Sequence, residues 1–369
     1  MARTRSVVLL VLFTVFLSFS CNGVFGNSGL HNNNKLAKKT IQTKYGDTYD
    51  CMNYTNDLPV FPPSQLKGSR DPQKSSSLFN PSNFWLNGKG CPDGLVPIRR
   101  TTKDDLKRAK LATEIHASKY NPLTIDKHGT HYAIVGTTDA NTKYHGGSAI
   151  ISVYHPSVVG TQYSSGRIKV QNGPDSIEVG WTVNPTLYKD NLTRLYTFTK
   201  TANSACFNTL CNSIKPVRSD MPLDMVLEPV STIDHKYDWK FMLFWDVANG
   251  NWRLKVSKDE TDIGFWPKNI FTSLGDGANY VEWGGEVFSP PNVPSPPMGS
   301  GSSMLEMTNY DAYCRLIKII NETDYEVNAV GTKAFSDVNQ YQVKDEGDTH
   351  EADFQHLVLF GGPGGYTGL

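Results

Sequence analysis

From His131 to Phe360 the chain alternates apolar and polar positions in short runs, with the two-residue period of strands that bury one face. The pattern predicts strands at His131–Val135, Ser148–Tyr154, Arg167–Gln171, Ser176–Val183, Arg194–Lys200, Trp239–Val247, Trp252–Val256, Tyr280–Phe288, Ala312–Ile320 and Gln355–Phe360. These runs are rich in β-branched and aromatic residues, and turn residues separate them. Asn249-Gly250, between two of them, is a strong short-range hairpin signal. No long amphipathic helical pattern and no fixed-period repeat interrupts the series. The fold class predicted is all-β, an antiparallel β-sandwich over residues 128–369.

Upstream the texture changes. Residues 27–127 are turn-rich, with prolines at 59, 62, 63, 72, 81, 92 and 97, and read as a smaller mixed segment. One helix is predicted there, Thr102–Tyr120. Thr102 and Asp105 have the spacing of a capping box, and Leu106, Ala109, Ala112, Thr113 and Ile115 fall near one face. Asn121-Pro122 stops it, and Leu123–Gly129 reads as a linker.

The first 26 residues read as an address. Arg3 and Arg5 precede Val7–Phe19, an apolar stretch of 13 residues followed by small residues up to Gly26. That is the layout of a secretory signal peptide. A transmembrane helix needs about 20 apolar residues, so no membrane partner is expected. The expected location is secreted and extracellular, including the cell wall, in an oxidising and glycosylating compartment. Cysteine usage fits this. Cys206 and Cys211 enclose four residues and suit a small loop disulfide, while Cys51 and Cys91 can staple the upstream segment to itself. Cys314 is either a buried thiol or an intermolecular bridge. Asn53, Asn191 and Asn321 head N-glycosylation sequons.

The chain of 369 residues has 36 basic and 36 acidic residues, and the balance hides an asymmetry. Residues 27–122 carry 15 Lys+Arg against 8 Asp+Glu, and residues 123–369 carry 19 against 28. A basic front precedes an acidic back, and their attraction is expected to hold residues 27–122 against the downstream domain as its inhibitor at neutral pH and to weaken as acid protonates the carboxylates. Neither part clusters Lys and Arg among aromatics, so nucleic acid is not an expected partner.

Several catalytic templates are absent from the sequence. There is no Gly-x-Ser-x-Gly elbow and no cysteine in a papain-like context. His128 and His131 lack a cluster of further ligands, and no metal or cofactor is expected. Two glutamates remain. In SIEVGWTV, Ile177, Val179, Trp181 and Val183 share one strand face, leaving Glu178 and Gly180 on the other. In VEWGGEVF, Glu282, Gly284, Glu286 and Phe288 share a face opposite Val281, Trp283, Gly285 and Val287. A glycine two residues from each of Glu178 and Glu286 suggests room for a substrate backbone.

Four blocks, SIEVGWTVNPTLYKDNLTRLYTF (Ser176–Phe198), YVEWGGEVFSP followed by MGSG (Tyr280–Gly301), FGGPGG (Phe360–Gly365) and CPDGLVPIRRT (Cys91–Thr101), resemble the neprosin family of secreted plant proteins. The resemblance implies a glutamic endopeptidase, a prolyl-endopeptidase-like hydrolase. Its catalytic β-sandwich would be preceded by an activation peptide removed on activation, and it would cleave after proline, with proline-containing peptides or proteins as substrates. Glu178 and Glu286 match the two catalytic glutamates, with Glu282 as the alternative to the second. Two carboxyls sharing one proton can activate water and protonate the leaving amine at acidic pH. Which is base and which acid stays open.

The sequence departs from the family between Glu286 and Met298, where it reads SPPNVPSPPM, and at the tail YTGL, which lacks the customary partner of Cys314. A monomer is expected, with release of the upstream segment at Pro122-Leu123. The competing class is a non-catalytic extracellular sandwich that binds cell-wall or glycan material. A glycosidase using the same two carboxyls is a third reading.

Overall fold

The computed structural model describes residues 39–53, 81–117, 129–257 and 260–366, all within one compact unit. The signal peptide, the linker up to His128 and the Pro122-Leu123 site lie outside the described residues.

In the N-terminal segment, β1 (Lys39–Gln42), β2 (Thr48–Met52), α1 (Pro81–Phe84), β3 (Val96–Arg99) and α2 (Lys103–Ala117) follow one another. Then come β4 (Thr130–Thr137), β5 (Gly146–Ser152), β6 (Tyr163–Asn172), β7 (Asp175–Val183), α3 (Pro185–Tyr188), β8 (Thr193–Lys200), β9 (Ala205–Phe207) and β10 (Lys215–Pro216). The chain continues through β11 (Asp238–Asp246), β12 (Asn251–Val256), β13 (Thr261–Trp266), β14 (Tyr280–Phe288), β15 (Ala312–Ile320), β16 (Glu326–Asn328), β17 (Thr332–Ser336), β18 (Gln342–Asp348) and β19 (His356–Gly361).

The fold is all-β. One sheet runs β17-β4-β14-β6-β7-β8-β9, and the other β10-β13-β12-β11-β5-β15-β19-β18 with β16 beside β15. All pairings in both sheets are antiparallel. Each predicted run holds a strand. The alternation also predicted the faces, since Ile177, Val179, Trp181, Val183, Val281, Trp283 and Val287 are fully buried. Two tryptophans on this face tie the sheets together: Trp181 Nε1 donates to Ser152 O at 2.8 Å and Trp283 Nε1 to Ser148 O at 3.0 Å. Each indole thus buries its ring while its N–H finds an acceptor on β5.

Pattern reading missed the short or outlying strands β9, β10, β16, β17 and β18, and also β13, which lies between β10 and β12. The burial of β17 and β18 is mixed and largely exposed, so neither strand carries an apolar stripe. The N-terminal segment also holds a three-stranded antiparallel sheet, β1-β2-β3, that its proline-rich texture concealed. Tyr49, Phe84 and Trp85 of this segment join the same apolar core as the sandwich. The Cys51–Cys91 and Cys206–Cys211 disulfides are both formed. Cys314 is a free, fully buried thiol, which in this fold excludes the intermolecular bridge. Asn53 and Asn191 are exposed; Asn321 is half-buried, its Oδ1 accepting from Thr323 and Tyr325.

Helix α2 starts as predicted. Thr102 N donates to Asp105 Oδ2 at 2.7 Å and Asp105 N to Thr102 Oγ1 at 3.1 Å, a reciprocal capping box. Its buried face differs from the expected one. Leu106 is 38% exposed, and the stripe that packs down is Ala109, Ala112 and His116. Small residues let the helix approach the sheet closely, against Leu187, Tyr188, Tyr196, Phe198 and Phe207. That approach delivers the histidine to the outer face of the sheet.

Candidate active site

Glu178 on β7 and Glu282 and Glu286 on β14 all project from the face opposite the sandwich core, as alternation requires. They are nevertheless 3%, 0% and 0% exposed. Strand glutamates facing away from a core are ordinarily solvated. Here α2 and neighbouring aromatic side chains cover them.

The strand between them explains how three buried carboxyls coexist. Register places β6 against both β14 and β7, with Arg167 opposite Gly284 on one side and Gly180 on the other. The fully buried guanidinium reaches all three acids. Arg167 Nε lies 3.1 Å from Glu286 Oε2 and 3.6 Å from Glu178 Oε2, and the NH1 nitrogen 2.6 Å from Glu282 Oε1. Burial works against its charge, but Glu282, Glu178 and Glu286 outweigh that and raise its pKa well above the ordinary value.

The two glycines therefore need a different explanation from the one the sequence suggested. A Cβ at 180 would lie 2.0 Å from Gly166 O, and one at 284, where φ is +136°, would lie 2.3 Å from Ala133 O. Close approach of the neighbouring backbones forbids a side chain at both positions. Both bare positions also flank Arg167 in the register.

Environment separates the three acids. Glu282 is paired with Arg167, with Lys169 at 3.8 Å, and accepts from Tyr280 at 2.8 Å. Burial alone would raise its pKa, but Lys169, Arg167 and the Tyr280 hydrogen bond together hold it below the ordinary glutamate value. Glu282 is the standing counter-charge of the cluster. Glu286 accepts from the Tyr163 hydroxyl at Oε1 and from Arg167 at Oε2. Burial and then Glu286 push the Tyr163 pKa well up, so its hydroxyl stays a donor.

His116 of α2 completes the arrangement. Its Nε2 shares a 2.9 Å hydrogen bond with Glu178 Oε2, and its Nδ1 lies 3.9 Å from Glu286 Oε1. Four rings surround the imidazole: Phe198 at 4.3 Å, Phe207 at 4.9 Å, Tyr163 at 5.3 Å and Tyr196 at 6.3 Å between centroids. One ligand atom from each of His116, Glu178 and Glu286 lies within 4.8 Å of the others, a spacing open to a divalent cation. The Arg167 guanidinium beside the same carboxylates already supplies positive charge there and would repel such an ion.

The sequence singled out Glu178, Glu282 and Glu286, and the fold brings all three to one cluster. It missed Arg167, Tyr163 and His116. A signal for Arg167 was present, because alternation with the buried Ile168 and Val170 puts Arg167 and Lys169 on the glutamates' face. His116 had a fainter one, being seven residues beyond Ala109 and four beyond Ala112 on one helical stripe.

The sequence profile of the neprosin family matches residues 160–363, more than half of the chain. The chain belongs to the neprosin family. Among solved structures it is similar to scytalidoglutamic peptidase bound to a transition-state analogue inhibitor, at 7% identity and a TM-score of 0.38, over 63% of this chain and 98% of that one. It is also similar to SCP-B, a member of the eqolisin family of peptidases in complex with the tripeptide Ala-Ile-His, at 5% identity and a TM-score of 0.34, over 63% and 96% of the two chains.

Proposed function

We propose that this protein is a secreted, acid-active glutamic endopeptidase, made as a latent zymogen and cutting after proline. One observation carries the reading: two buried glutamates from separate strands converge on a single ring supplied by a segment outside the sandwich.

In the active form Glu286, with donors from Tyr163 and Arg167, keeps the negative charge, and Glu178 holds the proton the pair shares. Glu286 takes a proton from a water whose oxygen bonds to the scissile carbonyl carbon. Glu178 first donates a hydrogen bond to the developing oxyanion. As the C–N bond breaks, its proton passes to the leaving amine. Arg167, balanced by Glu282, stays charged throughout and orients both carboxyls.

The aromatic cage supports the proline preference. It already encloses a five-membered ring beside both carboxyls, and the pyrrolidine of proline is a ring of that size. With His116 seated there, substrate is excluded, so the N-terminal segment acts as inhibitor until it is removed. Secretion accords with the two disulfides.

The test is to incubate the acid-treated protein with a proline-containing peptide and an oligosaccharide, and to measure product masses. Fragments ending in proline support the reading. Cleavage of sugar alone, or of neither substrate, overturns it.

A further inference from the structure

Beside Glu178 a cavity of about 350 Å³ runs from the edge of the four-ring cage, where His116 and Phe198 line it, toward Gly173 and Pro174 of the β6–β7 turn. Its wall is basic. Arg167, Lys169 and Lys200 line it together with Gln171 and Phe198, and Glu178 is its acidic member. Lys169 is nearly buried at 8% exposure, and Lys200 is half-buried on β8, across from Ser176. Burial, and then the neighbouring Lys169, lower the pKa of Lys200.

The charges around this cavity do not cancel in the active form. Arg167, Lys169 and Lys200 face Glu178, Glu282 and Glu286. Once the two catalytic carboxyls share one proton, the cluster carries one positive charge in excess. The latent form already seats an oxygen against this wall. Lys200 Nζ donates to Ala117 O at 3.3 Å, the carbonyl of the residue that follows His116 in the cage. A chain with a ring in the cage therefore already delivers an oxygen to this wall.

We infer that the Lys169–Lys200 cavity is a substrate subsite for a carboxylate, carried within a few residues of the scissile bond. This rests on the peptidase reading and names the substrate class for it. The carboxylate comes either from an Asp or Glu side chain or from the free C-terminus of a short peptide. A carboxylate there meets ammonium groups, whereas an amide isostere of equal shape offers no charge. Lysine in the same place would face like charges.

The test uses acid-activated full-length protein at pH 5 and peptides with one central proline. A single Glu, Gln or Lys is moved through the three positions on either side, and each peptide is made with a free and an amidated C-terminus. At one position kcat/KM should be at least ten-fold higher for Glu than for Gln, lowest for Lys, and the advantage should shrink with added salt. A gain confined to the free terminus assigns the wall to the chain end; a gain that survives amidation assigns it to a side chain. Lys200→Glu should invert the Glu-to-Lys order at that position. Equal kcat/KM for Glu, Gln and Lys at every position and with both termini, with cleavage occurring, overturns the subsite and leaves the peptidase reading intact. Cleavage of none of the peptides overturns both.

Discussion

His116 and Glu178, separated by 62 residues in sequence, share a 2.9 Å hydrogen bond with both side chains buried. The contact joins the one long helix among the described residues to the sheet that carries the glutamates. In the zymogen proposed above the helix would act as a plug, with this contact as its chemical attachment point.

Replacing His116 by Ala removes that attachment and the ring in the cage, while the capping box at the far end of α2 stays intact. Full-length His116→Ala protein is expected to hydrolyse a short proline peptide roughly ten-fold faster than the wild-type chain before any processing, the equivalent of about 1.4 kcal/mol of lost occlusion. Initial rates on unprocessed protein, checked for size by mass spectrometry, measure this. Equal latency in the two proteins would show that the ring is a bystander.

Glu178→Gln and Glu286→Gln keep shape but remove proton transfer, and each is expected to lower kcat by roughly 10²–10⁴-fold without unfolding the sandwich. Glu282→Gln should act differently, because Glu282 balances Arg167 and Lys169 and has no contact with His116 among those described. A smaller kcat loss with a displaced acid limb of the pH profile is expected. If Glu282→Gln abolished turnover and Glu286→Gln did not, the pair of catalytic carboxyls would have to be reassigned.

Arg167→Lys retains a charge but not the fork that spans three carboxylates. A fall in kcat of about 10²-fold with little change in KM is expected, on the scale of losing one preorganised electrostatic donor. Steady-state kinetics separate this from a binding defect, which would raise KM instead.

Acid release of the N-terminal segment should follow particular pairs and not the overall charge asymmetry. Across the contact, Lys44 meets Glu228 at 2.5 Å, but Arg194 of the sandwich meets Asp47 of the segment at 2.9 Å, so pairs run in both directions. For Glu228, burial raises the pKa but Lys44 and Tyr45 outweigh it, and the net shift is downward. Its contribution to docking is therefore present above the ordinary value of 4.5 and lost as pH falls through the lowered one. Glu228 is half-exposed, so the effect is small. Asp224 is shifted upward, chiefly by burial, so its protonation favours the docked state and opposes release. Asp224→Asn, which keeps an acceptor for Tyr49, should not move the midpoint of acid activation to higher pH. Glu228→Gln should make the transition slightly less steep. Activation curves between pH 3 and 7 test both.

Processing is expected at Pro122-Leu123, the proline position between α2 and β4. The Cys51–Cys91 bond closes within the N-terminal segment, so such a cut leaves no disulfide holding the segment to the sandwich. N-terminal sequencing of acid-treated protein should read from Leu123 or close to it. A mature chain that begins upstream of Lys103 would retain α2 and contradict release by this cut.

What the sequence determined by itself is what a period of two or of 3.6 can carry. Side-chain direction in a strand is a local property, so Ile177 to Val183 and Val281 to Val287 announced both the core face and the face that bears Glu178, Glu282 and Glu286. The Thr102–Asp105 capping box and the short Cys206–Cys211 loop were legible for the same reason, since their partners lie within a turn or two of chain. Tertiary structure alone decided what stands beside those glutamates. Arg167 reaches them because β6 pairs with β14, more than 100 residues away, in a register that sets two bare glycines against it. His116 reaches them because Ala109 and Ala112 let α2 close on Phe198 and Phe207. No periodicity within one element encodes sheet order or helix docking. Those depend on which distant surfaces fit, and here that fit turns three outward-facing acids into a buried, charge-balanced site.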